Sequence, residues 1–403
     1  MRRIPPLLAV QCATAAMSTA PRRVSVRGIS SQEGRLSCSD GLSLATVRWP
    51  AAAAPALPSR GGLPPRRILC LHGWLDNSAT FDALLPGLHS GLDAQAEIVA
   101  LDLPGHGLSD HKSPDGPPQL LAEYVYYVSE AIDALGWSQE SSSSLTDGGH
   151  GKRDGREGDQ QRRPQHKQQE RITLIGHSMG AGIATIFAAA FPEEVEAIVL
   201  IEGTGPLVRR AKDQSNHIRS ATTRRKKGNR LIYCKGDGGD NDRKGAAPRI
   251  YPSLEAATEV RVKTARLAPG RQYLSREAAA AMVRRATVLA PPSDGDRCGS
   301  GSEQAVVFRH DPRLQWPSLH YFTREQVDAI YADVKCPICL LTAEDGWPFE
   351  ETERRSVEEL LRPSRQRVLP GSHHFHADPD TCMAVLEEIL AFLRIRKNKG
   401  IKM

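Results

Sequence analysis

The sequence predicts an α/β fold in which a mostly parallel sheet carries helices on both faces. Short apolar runs that end in glycine turns alternate along the chain with runs of helical periodicity. Strands that alternate with helices form parallel sheets, because each helix returns the chain to the same edge. The chain has 403 residues, of which 40% are hydrophobic and 25% are charged. That length and composition suit one large globular domain that carries an insertion.

Six apolar runs are the predicted strands of this sheet. They are RILCLHG (67–73), EIVALDLPG (97–105), ITLIGHS (172–178), VEAIVLIEG (195–203), CPICLLTA (336–343) and QRVLPGS (366–372). The helices predicted from the apolar periodicity are 77–89, 119–136, 179–191, 350–362 and 379–394. The run RLSCSDGLSLATVRW (35–49) precedes the first of these strands and predicts an antiparallel hairpin at the sheet edge.

Two stretches interrupt the alternation and define the predicted domains. Residues 138–169 are polar and low in complexity, so they bury too little apolar surface to offset the entropy of ordering. We therefore expect a disordered insertion there. Residues 206–325 contain helical pieces and predict a helical lid, with a basic disordered loop at 212–248. The core then consists of residues 35–205 and 326–396.

The N-terminal segment 1–34 contains five arginines and no acidic residue before Glu33. This composition suits a transit peptide to a mitochondrion or plastid, and it equally suits a disordered tail. The chain has no apolar run long enough to span a membrane. Its cysteines lie far apart except for Cys336 and Cys339, and they are consistent with an intracellular compartment. The net charge is +6, but no nucleic-acid-binding motif accompanies the basic run at 207–249, so no nucleic-acid partner is expected.

The strongest functional signal is GHSMG (176–180), a Gly-x-Ser-x-Gly sequence between a predicted strand and a predicted helix. This context predicts a nucleophile elbow, a sharp turn that exposes the hydroxyl of Ser178. The N-terminus of the following helix favours developing negative charge. The stretch LHGWLDN (71–77) turns at the same sheet edge. The backbone amides of Trp74 and Met179 are therefore the candidate oxyanion-hole donors.

Three motifs, HGW, LPGHGLSD and GHSMG, resemble the α/β-hydrolase superfamily in their order and spacing. The stretches HGWLDNSATFD, IEGTGP and RHDPRLQWPS more narrowly resemble the serine hydrolase-like (Kraken-type) group. The resemblance covers residues 35–205 and 305–395. It implies an α/β-hydrolase fold with an inserted lid, no metal and no organic cofactor. It also implies a catalytic triad whose acid and histidine follow the serine in the chain.

The catalytic histidine is expected in GSHHFHADPD (371–380), after the last predicted strand. The resemblance implies an acidic residue five positions after this histidine, and Asp378 stands five positions after His373. His373 is therefore the predicted base, and His374 is the alternative if the register differs by one residue. The histidines of this stretch lack the spacing of a zinc site, so no metal is expected.

Three carboxylates, which follow two different strands, stay open for the acid that orients the histidine. The stretch TAEDGWP (342–348) follows the strand after which the family usually carries its aspartate, which favours Asp345. Its spacing is one residue shorter than usual, which leaves Glu344 possible. Glu202 is the alternative, because some members of the superfamily hold the acid after the preceding strand. Any of these carboxylates would stabilise the imidazolium that forms.

The sequence thus predicts a serine hydrolase that cleaves a small carboxylic ester or related carbonyl compound through an acyl-serine intermediate. Trp74, His177 and Trp347 are the expected substrate contacts, in a pocket between core and lid. Ser178 argues against epoxide hydrolases and haloalkane dehalogenases, for which the resemblance implies aspartate at the elbow. A carbon–carbon bond hydrolase with the same triad, and a receptor or interaction module with little turnover, are the alternatives. The sequence indicates no oligomeric state.

Overall fold

The structure is a computed structural model that describes most of the chain. The described residues are 25–26, 29–52, 65–93, 95–113, 120–138, 171–233, 249–291 and 304–399. Three predicted features therefore lie wholly or largely outside the described residues. They are the N-terminal segment up to residue 24, the low-complexity insertion from residue 139 onwards, and the second half of the basic stretch from residue 234 to 248.

Most of the described strands belong to one eight-stranded sheet. In chain order the strands are β1 (Ser25–Val26), β2 (Ile29–Ser30), β3 (Gln32–Ser37), β4 (Ser43–Trp49), β5 (Arg66–Leu71), β6 (Ala96–Leu101), β7 (Ile172–His177), β8 (Val195–Ile201), β9 (Ile250–Tyr251), β10 (Thr287–Leu289), β11 (Val306–Phe308), β12 (Ile338–Asp345) and β13 (Arg365–Ser372). The sheet has the order β13-β12-β8-β7-β5-β6-β4-β3.

The sheet is parallel except at one edge. Each neighbouring pair from β13 to β6 runs parallel, whereas β4 pairs with both β6 and β3 in the antiparallel direction. Strands β3 and β4 form the edge hairpin that the sequence predicts at 35–49. Because the carboxyl ends of parallel strands meet at one edge, the loops after β5, β7, β8, β12 and β13 converge there.

Helices cover both faces of the sheet, as predicted. In chain order they are α1 (Leu85–Gly91), α2 (Glu123–Ala134), α3 (Met179–Ala190), α4 (Gln214–Tyr233), α5 (Leu254–Ala265), α6 (Arg276–Ala286), α7 (Arg324–Asp333), α8 (Glu351–Ser356) and α9 (Cys382–Lys399). Successive residues of β5 point to opposite faces: Ile68 packs in the cluster with α1 and α9, and Leu69 packs in the cluster with α2 and α3. No helix in the described part of the chain is long and apolar enough to cross a lipid bilayer.

The lid lies between β8 and β12 and departs from the expectation in two ways. It contains a three-stranded antiparallel sheet of the order β10-β11-β9 beside its helices. Helix α4 also occupies much of the basic stretch that the sequence predicts as disordered. This helix packs on the segment 316–321, where Arg225 Nε donates to the Pro317 carbonyl and Gly228 lies against Trp316. Such tertiary contacts stabilise a helix whose polar composition gives it little support of its own.

Candidate active site

The turn between β7 and α3 places Ser178 in a strained backbone conformation, with φ 52° and ψ −112°. A non-glycine residue in this region costs energy and occurs mainly where function requires it. The crowding explains the two flanking glycines. A Cβ at Gly176 would clash with the Gly180 carbonyl oxygen, and a Cβ at Gly180 would clash with the Leu71 carbonyl oxygen. The local geometry is that of a nucleophile elbow.

Glu202 follows β8 directly and also has a left-handed backbone, with φ 52°. Its side chain is buried, and its two carboxylate oxygens accept one backbone amide from the end of β12 and one from the turn that follows. Oε1 accepts from the Ala343 N–H at 2.6 Å, and Oε2 accepts from the Trp347 N–H at 2.7 Å. The same Oε2 lies 3.1 Å from Nδ1 of His373. Glu202 is therefore fixed in place and hydrogen-bonded to a histidine.

His373 begins the loop after β13, and its backbone is held on both sides. Its N–H donates to Gln272 Oε1 at 3.0 Å, and its carbonyl oxygen lies 2.9 Å from Nε2 of His177. The His177 ring, one residue before Ser178, is 4.7 Å from the His373 ring between centroids. The loops after β7, β8 and β13 thus bring a serine, a carboxylate and an imidazole to one edge of the sheet.

Asp345, the first choice of acid from the sequence, takes no part in this hydrogen bond. Its side chain is exposed, and among the described residues the carboxylate bonded to His373 belongs to Glu202. The pairing of β12 with β13 shifts register between Ala343 and Asp345, and the backbone on either side of this shift donates the Ala343 and Trp347 amides to Glu202. This stretch of backbone presents amide groups, and not a carboxylate, to the site.

Comparison with known proteins identifies the family of this chain. Residues 68–385 match the alpha/beta hydrolase family. The chain belongs to this family. A serine hydrolase-like protein of Danio rerio is 29% identical over 340 residues, which are 83% of this chain and 82% of that protein. A serine hydrolase-like protein of Dictyostelium discoideum is 27% identical over 336 residues, which are 81% of this chain and 75% of that protein.

A solved structure supports the same assignment. The crystal structure of a hypothetical protein from Pseudomonas aeruginosa superposes with a TM-score of 0.64 and 27% identity, and the match covers 90% of this chain and 99% of that one. The resemblance to the serine hydrolase-like group of α/β hydrolases, inferred from the motifs, is confirmed by these relatives.

A second histidine–carboxylate pair lies beside the first in this hydrolase. Nε2 of His374 is 3.1 Å from Oδ2 of Asp76, and Nη2 of Arg261 is 2.6 Å from Oδ1 of the same aspartate. Burial alone would raise the pKa of Asp76, but His374 and Arg261 outweigh it and hold that pKa well below its usual range. The third histidine of the loop, His376, lies 3.0 Å through Nε2 from Oγ1 of Thr80. His374 and His376 thus have partners in the core and lid.

His177 was expected to contact substrate, and the structure places it elsewhere. Its side chain is 0% exposed and lies beneath the histidine loop, with Nε2 donating to the His373 carbonyl. Burial, followed by the neighbouring histidines, lowers the pKa of His177 well below its ordinary value. The ring therefore stays neutral at physiological pH and supports the loop from below.

The predicted oxyanion donors follow the neighbouring parallel strands β5 and β7 of the hydrolase. Met179 is the first residue of α3, so its N–H has no acceptor within the helix. Trp74 belongs to the turn after β5, and the His72 side chain anchors this turn, with Nδ1 2.7 Å from the Gly73 carbonyl oxygen and Nε2 accepting from the Leu103 N–H. The Trp74 indole is 54% exposed and its Nε1 donates to the Leu314 carbonyl.

Trp347 separates the histidine from a neighbouring cavity. Its ring lies 5.9 Å from the His373 ring between centroids. A cavity of about 510 Å³ opens between β12, β13 and α8 on the side lined by Trp347, Thr204 and Glu353. This cavity borders the turn that holds Glu202, and Ser178 and His373 are not among its lining residues.

Sequence inspection missed two members of the site, Asp76 and Arg261. Asp76 stands within the HGWLDN stretch. Its position three residues after Gly73, in the turn that follows β5, is the one feature of the sequence that points to the site. Arg261 lies in the lid helix α5, 185 residues further along the chain than its partner Asp76. No local pattern marks such an arginine.

Proposed function

We propose that this hydrolase cleaves a small carboxylic ester or related carbonyl compound through an acyl-serine intermediate. Ser178 is the nucleophile, His373 is the base and Glu202 is the acid that orients it. The observation that carries this proposal is the 3.1 Å contact between Glu202 Oε2 and His373 Nδ1 at the sheet edge that holds the elbow.

The ring nitrogen that faces Glu202 supports the proposed role of His373 as the base. Nδ1 faces the Glu202 carboxylate, so this nitrogen carries the proton and Nε2 presents a lone pair. A serine hydroxyl is a weak nucleophile until a base takes its proton. Nε2 of His373 accepts the proton of Ser178 Oγ as Oγ attacks the carbonyl carbon. The buried carboxylate of Glu202 then stabilises the imidazolium.

The proposed reaction consists of acylation of Ser178 followed by hydrolysis of the acyl-serine. The amides of Met179 and Trp74 donate to the oxygen that gains negative charge in the tetrahedral intermediate. The imidazolium of His373 returns its proton to the leaving group as the carbon–oxygen bond breaks. Water then attacks the acyl-serine with His373 again as base, which releases the acid and restores the Ser178 hydroxyl. This scheme draws on no metal or organic cofactor.

The substrate is proposed to bind between core and lid, against Trp74 and Trp347. Both indoles are exposed and neighbour the site, Trp347 through its contact with the His373 ring. Large aromatic surfaces of this kind bind the apolar part of a ligand.

The test is labelling with a fluorophosphonate, combined with hydrolysis of short-chain p-nitrophenyl esters. The wild type is expected to label and to turn over, and Ser178→Ala is expected to abolish both. Ser220→Ala, which removes an exposed serine of α4, serves as the matched control and should behave like the wild type. A folded wild type that neither labels nor hydrolyses would overturn the proposal and favour the receptor alternative.

A further inference from the structure

Three buried side chains beside the proposed base place their ligand-type atoms together. One carboxylate oxygen of Asp76 and one nitrogen each of His177 and His374 lie within 4.8 Å of one another. Oδ2 of Asp76 is 3.1 Å from Nε2 of His374 and 3.7 Å from Nδ1 of His177. One carboxylate and two imidazoles form a donor set that suits zinc and related divalent ions.

The hydrogen bonds of His177 leave one buried nitrogen of this cluster without a partner. Nε2 faces the His373 carbonyl oxygen, which can only accept, so Nε2 carries the ring proton. In the neutral ring Nδ1 then presents a lone pair towards Oδ2 of Asp76, which is also an acceptor. This buried Nδ1 has no hydrogen-bond partner in the described structure. Oδ2 accepts from Nε2 of His374, but no donor lies between Oδ2 and Nδ1 of His177, so a cation between these two atoms would satisfy Nδ1.

Gly73 leaves room beside these two atoms. A Cβ at this position would lie 3.0 Å from Nδ1 of His177 and 3.2 Å from Oδ2 of Asp76. Any side chain here would therefore crowd the space next to both ligand atoms. The glycine keeps that space free of protein atoms.

We propose that Oδ2 of Asp76, Nδ1 of His177 and Nε2 of His374 bind a divalent transition-metal ion of the zinc type, and that the bound ion inhibits the hydrolase. Three protein ligands leave a fourth tetrahedral position for water or an anion. His374 enters the site by a change of tautomer: its proton moves from Nε2 to Nδ1, and the freed Nε2 lone pair binds the ion. The ring stays neutral, so this step needs no other reactant.

Arg261 sets the affinity of this site. Its guanidinium neutralises Asp76 and lies 3.5 Å from Nε2 of His374, so its charge opposes that of an entering ion. Its side chain is 21% exposed, against 2% for Asp76, and it therefore marks the side from which the ion enters. Removal of this positive charge should tighten metal binding, which is the opposite of the effect expected at a ligand.

The inhibition follows from the neighbours of His373 and rests on the proposed function. The His373 and His374 rings are 5.2 Å apart between centroids, and His177 holds the His373 carbonyl. An ion on His177 and His374 adds positive charge beside the ring that must itself become positive during catalysis. Like charges at this separation in a buried site raise the free energy of the imidazolium.

Cobalt(II) is the probe, because its visible absorption reports four-coordinate binding without reference to activity. Chelator-treated wild type is expected to bind one equivalent, and Asp76→Asn and His374→Gln are each expected to weaken binding by about 10-fold or more. Arg261→Gln should tighten it. Two exposed residues provide matched controls, His320→Gln for the histidine change and Arg266→Gln for the arginine change, and both should bind like the wild type.

The outcomes separate this proposal from the proposed function. Equal cobalt affinity in the wild type, Asp76→Asn and His374→Gln would overturn the metal site, even if the enzyme hydrolyses esters. If Asp76→Asn does not fold, the other two variants still test the site, because His374→Gln should weaken cobalt binding and Arg261→Gln should tighten it. Cobalt binding by a protein that does not label with fluorophosphonate would retain the site and reject the hydrolytic role. In an active enzyme, zinc inhibition that a chelator reverses should follow the cobalt affinities across these variants.

Discussion

His373 and His374 are adjacent in the chain, and each lies against a buried carboxylate, yet the two pairs are built differently. His373 engages Glu202 through Nδ1, whereas His374 engages Asp76 through Nε2. In a serine triad the acid holds Nδ1 and leaves Nε2 for the serine. The first pair has this arrangement and the second has the reverse. Both histidines have a carboxylate partner, so it is the ring nitrogen that faces the carboxylate which distinguishes them.

The surroundings of the two carboxylates differ as well. Glu202 is held by the backbone amides of Ala343 and Trp347, which carry no net charge. Asp76 is ion-paired with Arg261, which already neutralises it. The negative charge of Glu202 thus remains available to an imidazolium on His373, while that of Asp76 is committed to the contact between lid and core. This difference supports the proposed catalytic role of the Glu202 pair, and it leaves the Asp76 pair to the contact between lid and core and to the proposed metal site.

The largest expected effect comes from exchanging the two histidines for alanine in separate variants. His373→Ala should lower kcat/KM for a p-nitrophenyl ester by about 10⁴-fold or more, because Ser178 loses its base. His374→Ala should lower it by far less, since that ring supports the loop from the side of Asp76. Steady-state kinetics on folded variants measure the difference. A larger loss in His374→Ala than in His373→Ala would reverse the assignment.

The next effect concerns the acid. Glu202→Gln preserves shape but removes the charge that stabilises the imidazolium, so kcat should fall by about 10³-fold to 10⁴-fold. Asp345→Asn changes an exposed carboxylate and should leave kcat within about 2-fold of the wild type. Both are measured with the same ester at saturating substrate. Equal losses in the two variants would mean that Asp345 shares the role.

Asp76→Asn should affect stability more than catalysis. The change leaves the Arg261 guanidinium without its counter-charge, and breaking a buried pair is strongly destabilising. Because the Arg261 side chain is 21% exposed, water compensates part of this loss and we expect about 2 kcal/mol. Urea unfolding measures the difference, with Asp345→Asn as the control. An unchanged midpoint would show that the lid does not depend on this ion pair.

The smallest effect is a pH dependence of stability. Burial and the neighbouring histidines hold the pKa of His177 and His376 well below their ordinary value. Below about pH 6.5 the unfolded chain protonates these rings while the folded protein does not. The unfolded state then binds more protons, so the free energy of unfolding declines towards acid by about 1.4 kcal/mol per pH unit for each ring.

Thermal unfolding between pH 7.5 and 5.5 checks this slope. His376→Gln should flatten it, because glutamine keeps a polar contact with Thr80 but does not titrate. His320→Gln, at an exposed histidine, should leave the slope unchanged. Asp76 does not interfere, because its lowered pKa places its own loss of stability at more acidic pH. A slope unaffected by His376→Gln would show that this ring titrates freely in the folded protein.

The parts of the site that the sequence predicts are those with a local signal. Ser178 stands between a strand and a helix within five residues, so its turn can be inferred without the rest of the chain. Glu202 depends on amides 141 and 145 residues further along the chain and on its own left-handed backbone. Neither is encoded near position 202, which is why Asp345 was the first choice from the sequence.

The fold shows the same division. The alternation of strands and helices is a short-range pattern, and it predicts a mostly parallel sheet with helices on both faces. Helix α4 is different, because its residues are mostly polar and its stability comes from the segment 316–321. The small sheet of the lid likewise joins short strands that are far apart in the chain. Contacts between residues that are far apart in the chain stabilise these elements, and the apolar periodicity of the sequence does not predict such contacts.

Strands β7 and β8 are neighbours, and this has a consequence for building new enzymes on this scaffold. The serine and the glutamate both leave the sheet before the lid begins, so only the histidine comes from the segment behind it. That segment docks through the pairing of β12 with β8, from Ile338 opposite Ile198 to Leu341 opposite Ile201. A lid transplanted from another hydrolase therefore has to preserve one strand junction, while the proposed nucleophile and the proposed acid stay together in the segment that precedes the lid.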